Sequence, residues 1–268
     1  MRRFFLPKIP EILLFILVAS GLGTFGQTKS ASEISISKCW AYPTVETGVA
    51  LASDSTRIFI GADGAKVETL SQDGKKIWST ELGGDLSSNL LPTEKGLLLA
   101  TSTERPAGER SASVLRSLSK ETGITNWTLK LPDAERYFLS MHNGSVIVVA
   151  KSGTIQAVDA ADGSVRWKRD LADGFAAEPV FSAAKVIVAA KANQIFSVSL
   201  ASGEIESMRK SAYPVTSLAE LPSGEIVAGD ERGNISTLNG TDKALWRFKS
   251  GGEISRLLVS GENILAAS

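Results

Sequence analysis

Cysteine and histidine are nearly absent: Cys39 and His142 are the only examples among 268 residues. A single thiol excludes an intramolecular disulfide framework and any cysteine-rich metal site. A single imidazole removes most histidine-based metal binding and acid–base catalysis. Neither sign of charge is in excess, because 29 Lys and Arg balance 29 Asp and Glu. That balance supplies no positive field to hold nucleic acid or an anionic membrane. Beyond residue 26 there is no long hydrophobic run and no sustained helical period. With 43% apolar and 22% charged residues, the chain can still build a sizeable core.

The amino terminus reads as an export leader. Arg2, Arg3 and Lys8 make a positive start, and Ile12 to Leu22 is uncharged and strongly apolar. Small residues follow, so cleavage is expected after Gly23 or Gly26, the alternative being an uncleaved anchor. The run is shorter than the ~20 residues a membrane span needs. No cysteine closes it, so lipid attachment is not supported. Residues 1–26 are thus signal peptide or anchor and 27–37 a linker. The remainder is expected to be exported, to the periplasm or another extracytoplasmic space. Membrane contact is expected only through an uncleaved leader.

From residue 38 onward the chain repeats itself. Trp40, Trp78, Trp127, Trp167 and Trp246 are spaced by 38, 49, 40 and 79 residues, the last gap being two units with one tryptophan missing. The vacant position is expected at Met208. Shortly before four of these positions stands a turn glycine: Gly74, Gly123, Gly163 or Gly203. Before each turn lie short alternating or β-branched runs, such as Val146 to Ala150 and Thr154 to Asp159, separated by Gly, Asp, Asn and Ser. Such runs read as strands. Four strands per unit of about 40 residues is the signature of a β-propeller blade. The expected fold is all-β, with four-stranded antiparallel blades over about 45–82, 83–131, 132–171, 172–211 and 212–250 and a partial blade at 251–268. Lys38 to Tyr42 matches a lone fourth strand, expected to pair with the last blade and help close the ring. The two strands after residue 250 suggest a natural product that continues by one to three blades.

The segment Ala157-Val158-Asp159-Ala160-Ala161-Asp162-Gly163 to Trp167 resembles the A-L-D-x-x-T-G-x-x-x-W repeat of pyrroloquinoline-quinone-like (PQQ-like) propellers. Ser117 to Trp127 and Leu70 to Trp78 fit the same pattern, the latter with one deletion. Leu238 to Trp246 fits with Asp242 in place of the glycine. The resemblance spans residues 38–268 and places the chain beside the quinoprotein alcohol dehydrogenase-like superfamily. It implies that the tryptophans and turn glycines cement neighbouring blades. The dehydrogenases of that superfamily carry a vicinal disulfide beside the quinone, and Cys39 alone cannot form one. Among exported propellers, the chain resembles the propeller lipoprotein of the outer-membrane β-barrel assembly machine. The missing lipid-attachment cysteine departs from that pattern.

Other constellations read as structure. Asp159 and Asp162 flank a turn, His142 precedes an Asn-Gly hairpin tip, and Cys39 reads as an inert buried thiol. The second unit is about ten residues longer than the rest. Its insertion carries Arg105, Glu109 and Arg110, candidate contacts for a protein partner, because loops on a rigid scaffold carry recognition. No catalytic residue, metal site or cofactor is expected. The expected function is a non-catalytic scaffold binding an envelope protein or peptide. The alternative is a quinoprotein-like enzyme or small-molecule sensor using the central channel. The purified chain should show no quinone-dependent oxidation of alcohols or sugars, even with calcium and added cofactor. Turnover with an artificial electron acceptor is the measurement that would contradict this.

Overall fold

The computed structural model describes residues 40–43, 50–103, 112–171, 174–238, 246–261 and 263–268. The leader, the linker, Cys39, Arg105, Glu109, Arg110 and Asp242 lie outside the described residues.

Each run of alternating or β-branched residues forms a strand, and consecutive strands pair as antiparallel meanders. The first sheet is β1 (Ala50–Ser53), β2 (Arg57–Ala62), β3 (Lys66–Ser71) and β4 (Lys76–Glu81), side by side in that order. In the second, the innermost strand is broken into β5 (Asp85–Leu86) and β6 (Leu91–Pro92). Both pieces pair with β7 (Leu97–Thr103), followed outward by β8 (Ala112–Leu118) and β9 (Thr125–Leu131). The third sheet is β10 (Tyr137–His142), β11 (Ser145–Ala150), β12 (Thr154–Asp159) and β13 (Val165–Asp170). The fourth is β14 (Val180–Phe181), β15 (Lys185–Ala189), β16 (Gln194–Ser199) and β17 (Ile205–Lys210). The fifth is β18 (Val215–Glu220), β19 (Ile226–Asp230), β20 (Asn234–Leu238) and β21 (Arg247–Lys249). A hairpin of β22 (Arg256–Ser260) and β23 (Asn263–Ala267) follows. The described residues therefore form five blades and part of another, with one 3-10 turn at Asp63–Ala65 as the sole helical element among them.

Burial explains the sequence pattern. Second strands are covered on both faces, so β11 is buried throughout and its sequence, Ser-Val-Ile-Val-Val-Ala, does not alternate. Outer strands are largely exposed, as in β13, and alternate with charged residues. The apolar clusters lie between blades. One joins Leu98 and Leu115 of the second blade to Leu139 and Val148 of the third; another joins Ile147 and Ile155 to Val186 and Val198. A blade cannot cover its own two faces, so these seams hold the stack together.

The tryptophans sit at the seams in one repeated geometry. Each indole of an outer strand lies over the turn between the third and fourth strands of the next blade. Trp78 donates its N–H to the Lys120 carbonyl at 2.7 Å, Trp127 to Ala160 at 3.2 Å and Trp167 to Leu200 at 3.2 Å. The turn glycines Gly123, Gly163 and Gly203 adopt φ of +73°, +79° and +72°. A β-carbon at Gly123 or Gly163 would stand 2.6 Å from the indole above it, so both backbone and space demand glycine. Trp40 makes the same contact with the first blade, over Gly74 and bonded to the Gln72 carbonyl at 2.9 Å. Trp246 packs partly buried against the cluster containing Leu257 and Ile264.

The register corrects one expectation. Trp78 pairs with Thr69, Trp127 with Ser117 and Trp167 with Ala157, each beside a bulge. In the fourth blade the equivalent residue, Ser197, pairs with Ser207 beside the same bulge. The missing tryptophan is thus replaced by Ser207, and Met208 is the next residue, on the opposite face of β17. The four-residue step from glycine to tryptophan in the other units, counted from Gly203, also lands on Ser207, so the expectation at Met208 was one residue too far.

Trp78 is the most enclosed of these rings, at 9% exposure against 38% for Trp40. Trp78→Ala should lower unfolding free energy by about 3–5 kcal/mol. Lys168→Ala, on an exposed outer strand, should change it by less than ~0.5 kcal/mol. Urea titration of both variants checks the difference.

Candidate interaction surfaces

Antiparallel meanders place their loops on two rims. One rim gathers the turns between first and second strands and those between third and fourth strands, with the indoles docked beside them. The other gathers the second-to-third turns and the connections from blade to blade.

On the indole rim the polar contacts serve the seams. Asp54, in the β1–β2 turn, accepts hydrogen bonds from the Thr56 and Arg57 amides and the Thr56 hydroxyl, each at 2.9 Å. It also pairs with Lys120 of the next blade at 2.8 Å, both side chains being about one-fifth exposed. Arg57 reaches the Lys120 carbonyl and the Glu121 carboxylate. This clasp therefore fixes the same turn that receives Trp78. Burial disfavours the Asp54 charge, but Lys120 and the Thr56 and Arg57 donors outweigh it and hold the carboxyl well below the usual carboxylate range. Further in, Asn89 bridges two blades. Its amide donates to the Leu139 carbonyl at 3.1 Å and its oxygen accepts from the Leu139 amide at 2.8 Å. These two hydrogen bonds tie the break between β5 and β6 to the third blade, while the gap in the pairing with β7 is bridged by the Ser88 hydroxyl, which accepts from the Ala100 amide at 2.7 Å.

The titratable residues singled out by sequence have local tasks. The Asp159 carboxylate accepts from the Ala161 amide at 2.8 Å and pairs with Arg166 at 2.6 Å, while Asp162 accepts from the Ser164 amide at 2.8 Å. These contacts lower both carboxyls and shape the turn around Gly163. His142 ends β10 beside a turn in which Asn143 and Gly144 have φ of +44° and +74°. Its Nε2 accepts from the Asn143 side-chain amide at 3.1 Å. No group of three or more His, Cys, Asp or Glu among the described residues could hold a metal ion.

The connecting rim is different in character. β7 and β8 pair up to Thr103 and Ala112, whose ends reach this rim, while Arg105, Glu109 and Arg110 lie outside the described residues. There, loops are tied to one another through the backbone, as in Lys151 N–H to Arg136 and Glu231 N–H to Pro214. Their side chains include arginine–aromatic stacks: Arg232 over Tyr213 at 5.3 Å and Arg136 over Phe138 at 5.4 Å. Tyr213 is 40% exposed. Stacked arginines and half-exposed aromatics on a fixed frame are the residue types enriched at protein interfaces. Sequence reasoning missed Tyr213 and Arg232; an isolated Tyr in a loop and an Arg in a turn give no signal until they meet.

Four-stranded blades joined by an indole over the neighbour's turn glycine define a PQQ-like β-propeller. The family model described as outer membrane protein assembly factor BamB matches residues 26–141 and 110–267, and the chain belongs to that family. It is 25% identical over 182 residues to the outer membrane protein assembly factor BamB of Yersinia pestis. That match covers 61% of this chain and 44% of the relative, so it spans less than half the relative's length. The crystal structure of BamB from Moraxella catarrhalis is similar in fold, with a TM-score of 0.56, 16% identity and 82% of each chain covered.

The Asp54 clasp has a pH signature. Its folded-state pKa lies below the unfolded value, so its contribution is complete above the ordinary carboxylate range and fades as pH falls through it. Asp54→Asn should cost about 1–3 kcal/mol at pH 7. The gap between wild type and variant should stay level down to about pH 5 and shrink below about pH 4. Thermal unfolding measured across that range checks both the size and the direction.

Proposed function

We propose that this protein is a non-catalytic propeller scaffold of the cell envelope that holds protein partners during the assembly of outer membrane proteins. The family match running through both halves of the chain is the observation that supports this reading. An assembly factor works by contact, and the chemistry present suits contact. The carboxylates that sequence singled out at Asp159 and Asp162 are spent on turns, and the sole histidine caps a hairpin. The reading requires no cofactor. Export by the 1–26 leader would deliver the chain to the compartment where such partners are found.

The connecting rim is the surface proposed for the partner. It combines the insertion with Arg105, Glu109 and Arg110 and the exposed Tyr213–Arg232 stack. The loops there carry charges of both signs, which suits a protein surface better than a single charged ligand. Tagged mature chain, cross-linked in an envelope extract of its own host, should recover specific envelope proteins. Reversing charge with Arg105→Glu, Glu109→Lys and Arg110→Glu together should cut that recovery about fivefold or more while leaving the melting temperature nearly unchanged. Undiminished capture by the variant would move the contact off this rim. Absence of specific capture, with normal outer membrane protein levels in a deletion strain, would overturn the scaffold reading.

A further inference from the structure

The hairpin joining β10 to β11 turns at Asn143-Gly144. Asparagine is a thermolabile residue because the backbone nitrogen that follows it can attack its side-chain carbonyl carbon and close a five-membered ring. Both reacting groups belong to one chain, so access decides whether the ring forms. Among the described residues Asn89, Asn126, Asn193, Asn234 and Asn263 precede Leu, Trp, Gln, Ile and Ile, whose side chains crowd the following nitrogen. Asn143 alone among them precedes glycine. Asn143 and Gly144 are both exposed, and a β-carbon at Gly144 would meet nothing within 4 Å. The Gly144 amide donates to no partner among the described residues. The Asn89 and Asn234 side chains, in contrast, are held by Leu139 and by Asp230.

Two further contacts single this tip out. His142 Nε2 stands 3.1 Å from the Asn143 side-chain nitrogen, the atom that must leave when the ring closes. On the other side of the tip, the Gly144 carbonyl accepts from the Ala160 amide at 3.0 Å. The Ala160 carbonyl in turn receives the Trp127 indole at 3.2 Å. A single residue of the receiving turn therefore joins the hairpin tip to the ring that closes the seam between the second and third blades.

We propose that Asn143 is a site of spontaneous deamidation and isomerisation, aided by His142, and that its conversion loosens the seam between the second and third blades. The Gly144 nitrogen gives its proton to water and bonds to Asn143 Cγ. The bond from Cγ to the side-chain nitrogen then breaks, and His142 passes that nitrogen the proton with which it departs as ammonia. The imidazole recovers its proton from water. A water molecule opens the resulting succinimide at either carbonyl carbon, leaving aspartate or isoaspartate. One water is consumed, one ammonia is released, and nothing is oxidised. Isoaspartate routes the backbone through the side chain and adds one carbon between positions 143 and 144, which displaces the Gly144 carbonyl from Ala160. The proposal needs no partner and is independent of the scaffold reading.

Ageing the full mature chain at neutral pH measures the conversion, read by peptide mapping with mass spectrometry and by methylation with an isoaspartyl methyltransferase. Asn143 should convert about tenfold or more faster than Asn126, which is also exposed but precedes tryptophan. His142→Gln should slow Asn143 about threefold or more. The same variant should leave Asn239-Gly240, the other such pair in the sequence, at its wild-type rate. Gly144→Ala should slow Asn143 about tenfold. The φ of +74° at Gly144 opposes a β-carbon, so His142→Gln carries the test if the alanine variant does not fold. Separated by ion exchange, the isoaspartate fraction should melt about 2–4 °C below fresh protein. Asn143→Asp, which adds the charge without the extra carbon, should melt within about 1 °C of it. The proposal is overturned by conversion at Asn143 no faster than at Asn126, by equal rates in wild type and His142→Gln, or by an isoaspartate fraction that melts like fresh protein.

Discussion

An indole resting on the next blade's turn glycine is the contact on which the rest of this structure depends. Each four-stranded sheet has apolar residues on both faces and cannot cover them alone. The indole closes the seam at its outer end, where the blades diverge and aliphatic side chains no longer meet. It also satisfies a turn carbonyl that would otherwise face the seam. The glycine is the other half of the contact, because a β-carbon there would collide with the ring and strain the backbone. Tryptophan and glycine therefore form one structural unit distributed over two blades.

The other inter-blade contacts gather around this unit. Lys120 shows the arrangement most clearly: its carbonyl receives Trp78 and its ammonium group receives Asp54. Nearer the axis, Asn89 uses the break in the second blade's inner strand to bond Leu139 of the third blade. With stability concentrated between the blades and along the indole rim, the loops of the opposite rim are free to vary in length and charge. This division explains how the second blade carries an insertion between β7 and β8 without disturbing the ladder on either side.

Much of the fold was legible because the indole–glycine unit repeats. Five tryptophans and four glycines at matched spacing reveal blades, strand order and turn positions together. Register at the vacant position was legible too: tryptophan follows glycine by four residues at Gly74, Gly123 and Gly163, so Gly203 points to Ser207, as does the bulge beside Ser197, and the expectation at Met208 was one residue out. Enclosure was hidden, since Trp40 and Trp78 share one motif yet differ in exposure, 38% against 9%. The candidate surfaces were the least legible. Asp54 and Lys120 are 66 residues apart, and neither belongs to a motif. Arg105, Glu109 and Arg110 were found because an insertion is visible by counting, whereas Tyr213 and Arg232 become a unit only in three dimensions.

Trp40, Trp78, Trp127 and Trp167 each reach forward, to a turn that lies later in the chain. Each of these blades thus seats its predecessor's ring and offers its own ring to its successor, so removing one blade would bare one indole and orphan one turn. At Ser207 that relation is interrupted, and among the described residues the fifth blade meets the fourth through aliphatic contacts and the Ser182–Glu220 hydrogen bond. One side chain therefore changes the kind of joint at this seam.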